Sequence, residues 1–224
     1  MCTDKTTVLI GLAKVPFRQT EGVLFFQPRE AARCAPDRVE SRTGAFYDGV
    51  IPVDHPAQIM PIVEASTAQH LFLEEVHFLG RDAGMEAAAK QLFLDLRRLG
   101  RHTYWSGLPM DFRAQPFELV AFLLGITSHP YPRDTSCAVC KRMPAPFPQR
   151  LYFDLPAPAD DARFLADTPE QQARKRLRYE PRCSNCYRCP DTMSPQLQQI
   201  FAAMAEEYDR GRRELASPAD PPRS

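Results

Sequence analysis

Apolar and polar positions follow two rhythms along the first half of the chain. From Thr6 to about Gln19, Leu9, Ile10, Ala13 and Phe17 recur three or four residues apart, which predicts one face of a helix. After Gly22, the run Val23-Leu24-Phe25-Phe26 is apolar without interruption, the pattern of a strand buried on both faces. Leu71-Phe72-Leu73 is a second such run and leads straight into Glu74-Glu75. A helix is expected from Arg81 to Leu99, with Gly100 to stop it. Thr103-Tyr104-Trp105-Ser106 reads as a third strand closed by Gly107, and Pro116 to Leu124 as a helix with proline in its first turn. Strands separated by helices predict an α/β fold, a parallel sheet flanked by helices on both faces. Ligands of such sheets sit at the carboxyl ends of the strands, where Glu74 and Glu75 stand. Near the C-terminus, Ser194-Pro195 opens an amphipathic helix through Leu197, Ile200, Phe201, Met204 and Tyr208.

Proline interrupts this alternation. Half of the 22 prolines fall between Pro130 and Pro195, and proline lacks a backbone donor and fixes φ. That segment is therefore expected to carry neither long helices nor central strands. The chain divides on this basis into a core domain over 1–128, a small loop-rich subdomain over 129–194, a helix over 195–216 and a disordered tail over 217–224. Charge narrows the partners: 28 basic residues balance 28 acidic ones, which removes bulk attraction to nucleic acid or an anionic membrane. No apolar run reaches the roughly 18 residues of a spanning helix. The opening Met1-Cys2-Thr3-Asp4-Lys5 lacks the basic-then-apolar layout of a signal peptide, so a cytoplasmic protein is expected.

Five of the seven cysteines lie in the proline-rich segment. In a reducing compartment they are ligands or free thiols rather than disulfides. Cys137-x-x-Cys140 and Cys183-x-x-Cys186 are two knuckles, each spaced so that both sulfurs reach one tetrahedral Zn²⁺ at about 2.3 Å. No histidine follows His129, so a zinc site here uses four cysteines, with Cys189 an alternative to Cys186. A closed four-thiolate site stabilises a fold and does no chemistry.

Asp4-Lys5-Thr6-Thr7 leads directly into the first helix. In a GxxxxGK[ST] loop, glycines let backbone N–H groups wrap phosphates, lysine bridges them and the hydroxyl holds Mg²⁺. Lys5 and Thr6 fit the last two positions, while Asp4 stands where the second glycine belongs. Read alone, a lysine and a threonine also simply start a solvated helix. The acidic pair adds weight: Glu74 suits Mg²⁺, directly or through water, and Glu75 suits a proton from a substrate hydroxyl. The bland reading of the pair is a solvated strand end.

Together these pieces resemble the type II thymidine kinase family nearly end to end. Met1-Cys2-Thr3-Asp4-Lys5-Thr6-Thr7-Val8-Leu9-Ile10 is similar to its P-loop, M-x-[SA]-G-K-[ST]-T-x-L, and Ser41-Arg42-Thr43-Gly44 to its SRxG segment. Leu73-Glu74-Glu75-Val76-His77-Phe78-Leu79 resembles D-E-x-Q-F-[FL], and the stretch from Gly107 to Phe117 resembles GLxxDFRxxPF, the most specific of all. Cys137 and Cys140, with Tyr179-x-x-x-Cys183-x-x-Cys186-Tyr187, resemble the zinc-ribbon lasso that closes over the nucleoside. The resemblance implies a P-loop kinase-like sheet with a zinc-ribbon subdomain, and transfer of the γ-phosphoryl of ATP, with Mg²⁺, to the 5′-hydroxyl of thymidine. By position, it implies that Lys5 and Thr6 contact phosphates and metal, with Glu74 beside them, and that Glu75 is the base. Phe112 and Phe117 would wall the thymine, Met1 would approach the base and Tyr179 would belong to the lasso. Both phenylalanines equally suit core packing, and Arg113 suits either a phosphate or a helix cap. The resemblance further implies a homotetramer.

Departures from the pattern are as specific as the matches. The family's first strand and first P-loop glycine are expected to be missing, and Asp4 sets a carboxylate beside the phosphates where a nest of N–H donors is needed. The family's D-x-R appears as Ala31-Ala32-Arg33, His77 replaces glutamine, and Arg174 to Arg178 stand where the lasso carries a glycine pair. The alternative to an active kinase is therefore a catalytically impaired relative, a zinc-stabilised nucleoside- or protein-binding module. A sheet without its first strand is also expected to expose an apolar edge.

Overall fold

The computed structural model describes residues 4–166, 168–191, 194–196 and 198–204. Helix α1 (Lys5–Ala13) buries Leu9, Ile10 and Ala13 and ends before Pro16, which opens α2 (Pro16–Glu21). The single helix expected from Thr6 to Gln19 is thus two. Pro16 has no N–H to continue the ladder and holds Val15 in an extended conformation, and Phe17, placed on the apolar face by periodicity, is 63% exposed.

Strand β1 (Val23–Pro28) follows. Then come β2 (Arg38–Glu40), β3 (Phe46–Asp48), β4 (Ile51–Val53), α3 (Ile59–Glu64), β5 (His70–Leu73), α4 (Ala83–Arg98), β6 (His102–Trp105) and α5 (Glu118–Ile126). The main sheet has the order β4-β1-β5-β6 and is parallel throughout, with Phe25 level with Phe72 and Phe72 with Tyr104. Alternate residues serve opposite faces. Phe26, Leu71 and Leu73 pack with Ile59, Leu92, Leu96 and Leu123 under α3, α4 and α5. Phe25 and Phe72 pack with Leu9 and Ile10 of α1 and with Val39 of the β2–β3 hairpin. The fold is α/β, and helices cover both faces as the alternation of elements requires.

Two turns set the carboxyl end of the sheet. Asp82 caps α4 by accepting the Met85 N–H at 2.9 Å, which anchors the long helix just after the Glu74-Glu75 corner. Ser41-Arg42-Thr43-Gly44 forms the tip of the β2–β3 hairpin, Ser41 Oγ accepting the Ala45 N–H at 3.0 Å and Gly44 at φ 84. Among the described residues no strand pairs with the outer edge of β6. That edge borders a groove of about 1290 Å³, flanked by Val8, Leu9 and Leu12 of α1 and by Val120, Leu123 and Leu124 of α5.

Beyond α5, the chain builds a second, antiparallel sheet from β7 (Phe147–Tyr152), β8 (Leu155–Pro156) and β9 (Arg178–Arg182), with α6 (Pro169–Lys175) between the last two. Its order, β8-β7-β9, makes the proline-bearing β7 the central strand, which corrects the expectation that this segment holds none. The physical reason is register. Pro148 faces Pro181, whose carbonyl turns outward to accept the Ala138 N–H at 2.9 Å, so this pair exchanges no ladder bond and needs no donor. β8 reaches only Leu151 and Tyr152, leaving the far side of Pro148 unpaired by strand. Residues 195–196 and 198–204 are helical, whereas Leu197, Tyr208 and the expected tail over 217–224 lie outside the described residues.

Candidate functional site

The carboxyl ends of β5 and β6 meet the start of α1. Thr6, in the first turn of α1, donates its hydroxyl to one carboxyl oxygen of Glu74, and Ser106, just past β6, donates to the other. Glu74 is 2% exposed. Burial and the neighbouring Glu75 push its carboxyl up to about 7, against the two hydroxyl donors, which favour the charged form. Glu75 diverges from it because its backbone lies in the left-handed region, φ 48, which turns the two adjacent side chains apart. Glu74 therefore lies beneath Thr6, whereas Glu75 faces a cavity.

Burial also raises the Glu75 carboxyl, but His77, Lys5 and Arg33 outweigh it and hold it below the usual carboxylate range. Nδ1 of His77 lies 3.3 Å from Glu75 Oε2. Burial drives the His77 ring down to about 4, with Glu75 pulling back only in part, so His77 is neutral near neutral pH. Its ring leans on Phe78 and Phe117, with centroids 4.7 and 4.8 Å away. A carboxylate fixed at a strand end beside a neutral imidazole is equipped to accept a proton.

The cavity at this corner has a volume of about 280 Å³. It brings together Lys5, Thr6, Glu75, Phe112, Phe117 and Tyr179, six residues singled out in the sequence and spread over most of its length. Glu74 stands behind the lining, reaching it through Thr6. Met1 lies outside the described residues. The hairpin tip contributes Ser41, Arg42 and Thr43, and Arg33 joins Lys5 to make this end of the cavity basic. Asp4 lines it too, exposed, with φ 52 and no side-chain bond to the helix start. The backbone thus keeps a conformation that glycine adopts freely, at a residue that adds a negative charge.

The opposite end is aromatic. Phe112 and Phe117 are 1% and 5% exposed and both pack into the core and line the cavity, so the two readings of them hold together. Sequence reasoning missed what faces them. Arg150, at the centre of β7, lies 4.0 Å over the Phe112 ring and donates to Tyr179 Oη at 2.7 Å and Asp161 Oδ2 at 2.9 Å. It also donates to the carbonyls of Ala162 and Arg163, which holds the loop over 161–166 against the cavity mouth. That loop carries Arg163 and Phe164 to Phe117. Arg113 takes neither role considered for it: it donates to Asp111 at 3.0 Å and to the Ala159 carbonyl at 3.2 Å.

Below this sheet, Cys137, Cys140, Cys183 and Cys186 gather with all four sulfurs within 4.8 Å of one another. A tetrahedron with metal–sulfur bonds of about 2.3 Å has edges of about 3.8 Å, and the Cys140 and Cys183 sulfurs are 3.5 Å apart, so the set fits a structural metal such as zinc. Burial opposes ionisation of Cys137, but backbone N–H groups of Cys140, Cys183 and Val139, drawn from both knuckles, outweigh it and lower its thiol. Cys189 is exposed and outside the group, which leaves Cys186 as the fourth sulfur. No described helix is long and apolar enough to cross a membrane.

Two comparisons with known proteins bear on this geometry. The sequence profile of a family described as thymidine kinase matches residues 1–187. A protein of Pyrobaculum aerophilum named thymidine kinase is 28% identical over 193 residues, covering 85% of this chain and 95% of that protein.

Proposed function

Because the chain belongs to the thymidine kinase family, we propose that it transfers the γ-phosphoryl of ATP to the 5′-hydroxyl of thymidine, with Glu75 as the general base. The observation that carries this reading is the convergence of Lys5, Thr6, Glu75, Phe112, Phe117 and Tyr179 on one cavity. Lys5 and the start of α1 take the β- and γ-phosphates, with Arg33 and Arg42 adding positive charge at the same end. The nucleoside lies with its base toward Phe112 and Phe117, Tyr179 beside it and its 5′-hydroxyl at Glu75. Met1 is assigned to the base end by family position alone.

The hydroxyl oxygen attacks the γ-phosphorus as the bond to the bridging oxygen of ADP breaks, and the hydroxyl proton passes to Glu75. The low proton affinity of Glu75 keeps it ionised and ready near neutral pH. His77, whose Nδ1 lies 3.3 Å away and accepts the Leu108 N–H at 3.4 Å, is neutral and does not compete for the proton. Thr6 and Glu74 are the residues that would hold Mg²⁺, whose bound charge offsets that of the phosphates. Thr6 and Glu74 already share a hydrogen bond, which keeps that pair assembled.

The four-cysteine set takes Zn²⁺ and secures residues 129–194 as a separate subdomain that closes over the nucleoside. A homotetramer in the cytoplasm accompanies this reading, on family resemblance. The direct test is phosphate transfer from ATP to thymidine by the purified chain, with Glu75→Gln as the control. Turnover that disappears in the control supports the assignment, and a folded, metal-loaded chain that turns over nothing opposes it.

A further inference from the structure

Tyr187 directly follows the second Cys-x-x-Cys turn and joins it to the cavity wall. The turn closes on Cys183, whose carbonyl accepts the Cys186 N–H at 3.1 Å and the Tyr187 N–H at 2.9 Å. The Tyr187 backbone is thus fixed to one of the four sulfur-bearing residues. Its ring stacks on Phe147, at the start of β7, with centroids 4.8 Å and planes 22° apart, which restricts where the hydroxyl can reach. That hydroxyl donates to the Phe112 carbonyl at 2.7 Å, across 75 residues of sequence. Phe112 stands in a tight turn closed on itself: Asp111 Oδ1 accepts the Arg113 and Gln115 N–H groups at 2.9 and 3.0 Å. No other hydrogen bond among the described residues joins the stretch from Gly107 to Phe117 to either Cys-x-x-Cys turn.

Phe112 lines the cavity and is 1% exposed, so a shift of its backbone is a shift of the cavity wall. With metal at the four sulfurs, the turn from Cys183 to Cys186 is a fixed point, and Tyr187 holds Phe112 to it. Without metal that turn loses what closes it, and the bond to Phe112 loses its anchor. We propose that Tyr187 is a positioning residue that couples the metal site to the nucleoside end of the cavity through the Phe112 carbonyl. Coupling of this kind is reciprocal: whatever factor the metal adds to thymidine affinity, thymidine adds to metal affinity. This coupling rests on the nucleoside-kinase reading above and gives the four-thiolate site a consequence besides stability.

The test is a binding cycle that needs no turnover. Zn²⁺ affinity is measured by competition with a chromophoric chelator, with and without saturating thymidine, in the parent chain and in Tyr187→Phe. Phenylalanine keeps the ring on Phe147 and removes only the hydroxyl. In the parent, thymidine is expected to tighten Zn²⁺ binding about 2- to 10-fold, the scale of one hydrogen bond. In Tyr187→Phe that ratio is expected to fall to within about 1.5-fold of unity. Co²⁺ in place of Zn²⁺ gives a second readout: its d–d absorption is expected to change when thymidine binds the parent and to stay fixed in the variant. A Tyr187→Phe chain that is merely less stable, with the parent's ratio intact, would overturn the proposal, as would a parent whose Zn²⁺ affinity ignores thymidine. Should Tyr187→Phe not fold, hydrogen exchange of the Arg113 and Gln115 amides in the parent decides: protection that rises on adding Zn²⁺ supports the coupling, and unchanged protection overturns it. A parent chain that couples the two ligands yet transfers no phosphate contradicts the kinase reading and leaves this one standing. A parent that binds no thymidine overturns both.

Discussion

The cysteine cluster and the basic end of the cavity both join distant parts of the chain, but they do so by different means. The cluster needs two local turns, each a Cys-x-x-Cys, and a single pairing of β7 with β9 to bring them together. Its residue types and their spacing fit a structural metal such as zinc. The basic end draws Lys5 and Thr6 from α1, Arg42 from a hairpin tip, Arg33 from the segment after β1 and Glu75 from a strand end. No local spacing links these, and each has an ordinary surface role of its own. A four-thiolate site admits little variation in its ligands, whereas the basic end of the cavity carries Asp4 where glycine is expected, with the backbone at φ 52.

Removing the metal is expected to produce the largest effect and to break the comparison at its rigid side. Structural zinc of this kind binds with about 10–16 kcal/mol, most of it spent on folding its surroundings. Chelation, or Cys137→Ser, is expected to release one zinc per chain and to abolish hydrogen-exchange protection over 137–187, while the strands β1 and β5 keep theirs. Intact protection over 137–187 in the metal-free chain would show that β7 and β9 hold without it.

Glu74 gives a smaller effect of definite sign. Its carboxyl titrates at about 7 in the folded chain against an ordinary value of 4.5, so between those values the folded state holds a proton that the unfolded state has lost. Stability from this group is therefore present below about 4.5 and falls as pH rises through 7. His77 works the other way: its stabilising contribution is complete above 6.5 and is lost as pH falls toward 4. In Glu74→Gln the first slope disappears and the second stays. Urea denaturation is expected to show the variant gaining on the parent by on the order of 1–3 kcal/mol between pH 4.5 and 7. Parallel stability curves would contradict the buried, proton-holding role of Glu74.

Asp4→Gly is expected to change least. It removes a charge that repels phosphate by about 1 kcal/mol across an exposed boundary and leaves a residue that accepts the same φ. The KM for ATP should fall about three- to tenfold, with the KM for thymidine unchanged. An unchanged KM for ATP would place Asp4 clear of the phosphates.

What the sequence disclosed follows the same division. Strands β1 and β5 were legible because parallel strands covered on both faces read as near-continuous apolar runs, β6 because Thr103-Tyr104-Trp105 is rich in β-formers and closes at Gly107, and α4 because a long periodic run ends at Gly100. The β2–β3 hairpin was not, since its three-residue strands bury only Val39 between them and leave no rhythm to detect. The break at Pro16 was written in the sequence but was overridden by the spacing of Leu9, Ala13 and Phe17. The cavity residues found in advance were those in motifs. Arg150 and Arg163 act through rings and carbonyls that only the folded chain brings near, so neither composition nor spacing marked them.

The most direct measurement is the rate of phosphate transfer from ATP to thymidine by the intact, zinc-loaded chain beside Glu75→Gln. Loss of a general base costs about 10²- to 10⁴-fold. Turnover by the parent is expected, with a fall of that size in kcat for the variant and thymidine binding kept within about threefold. Equal rates in the two proteins, or no transfer by a folded parent that binds thymidine, would contradict it.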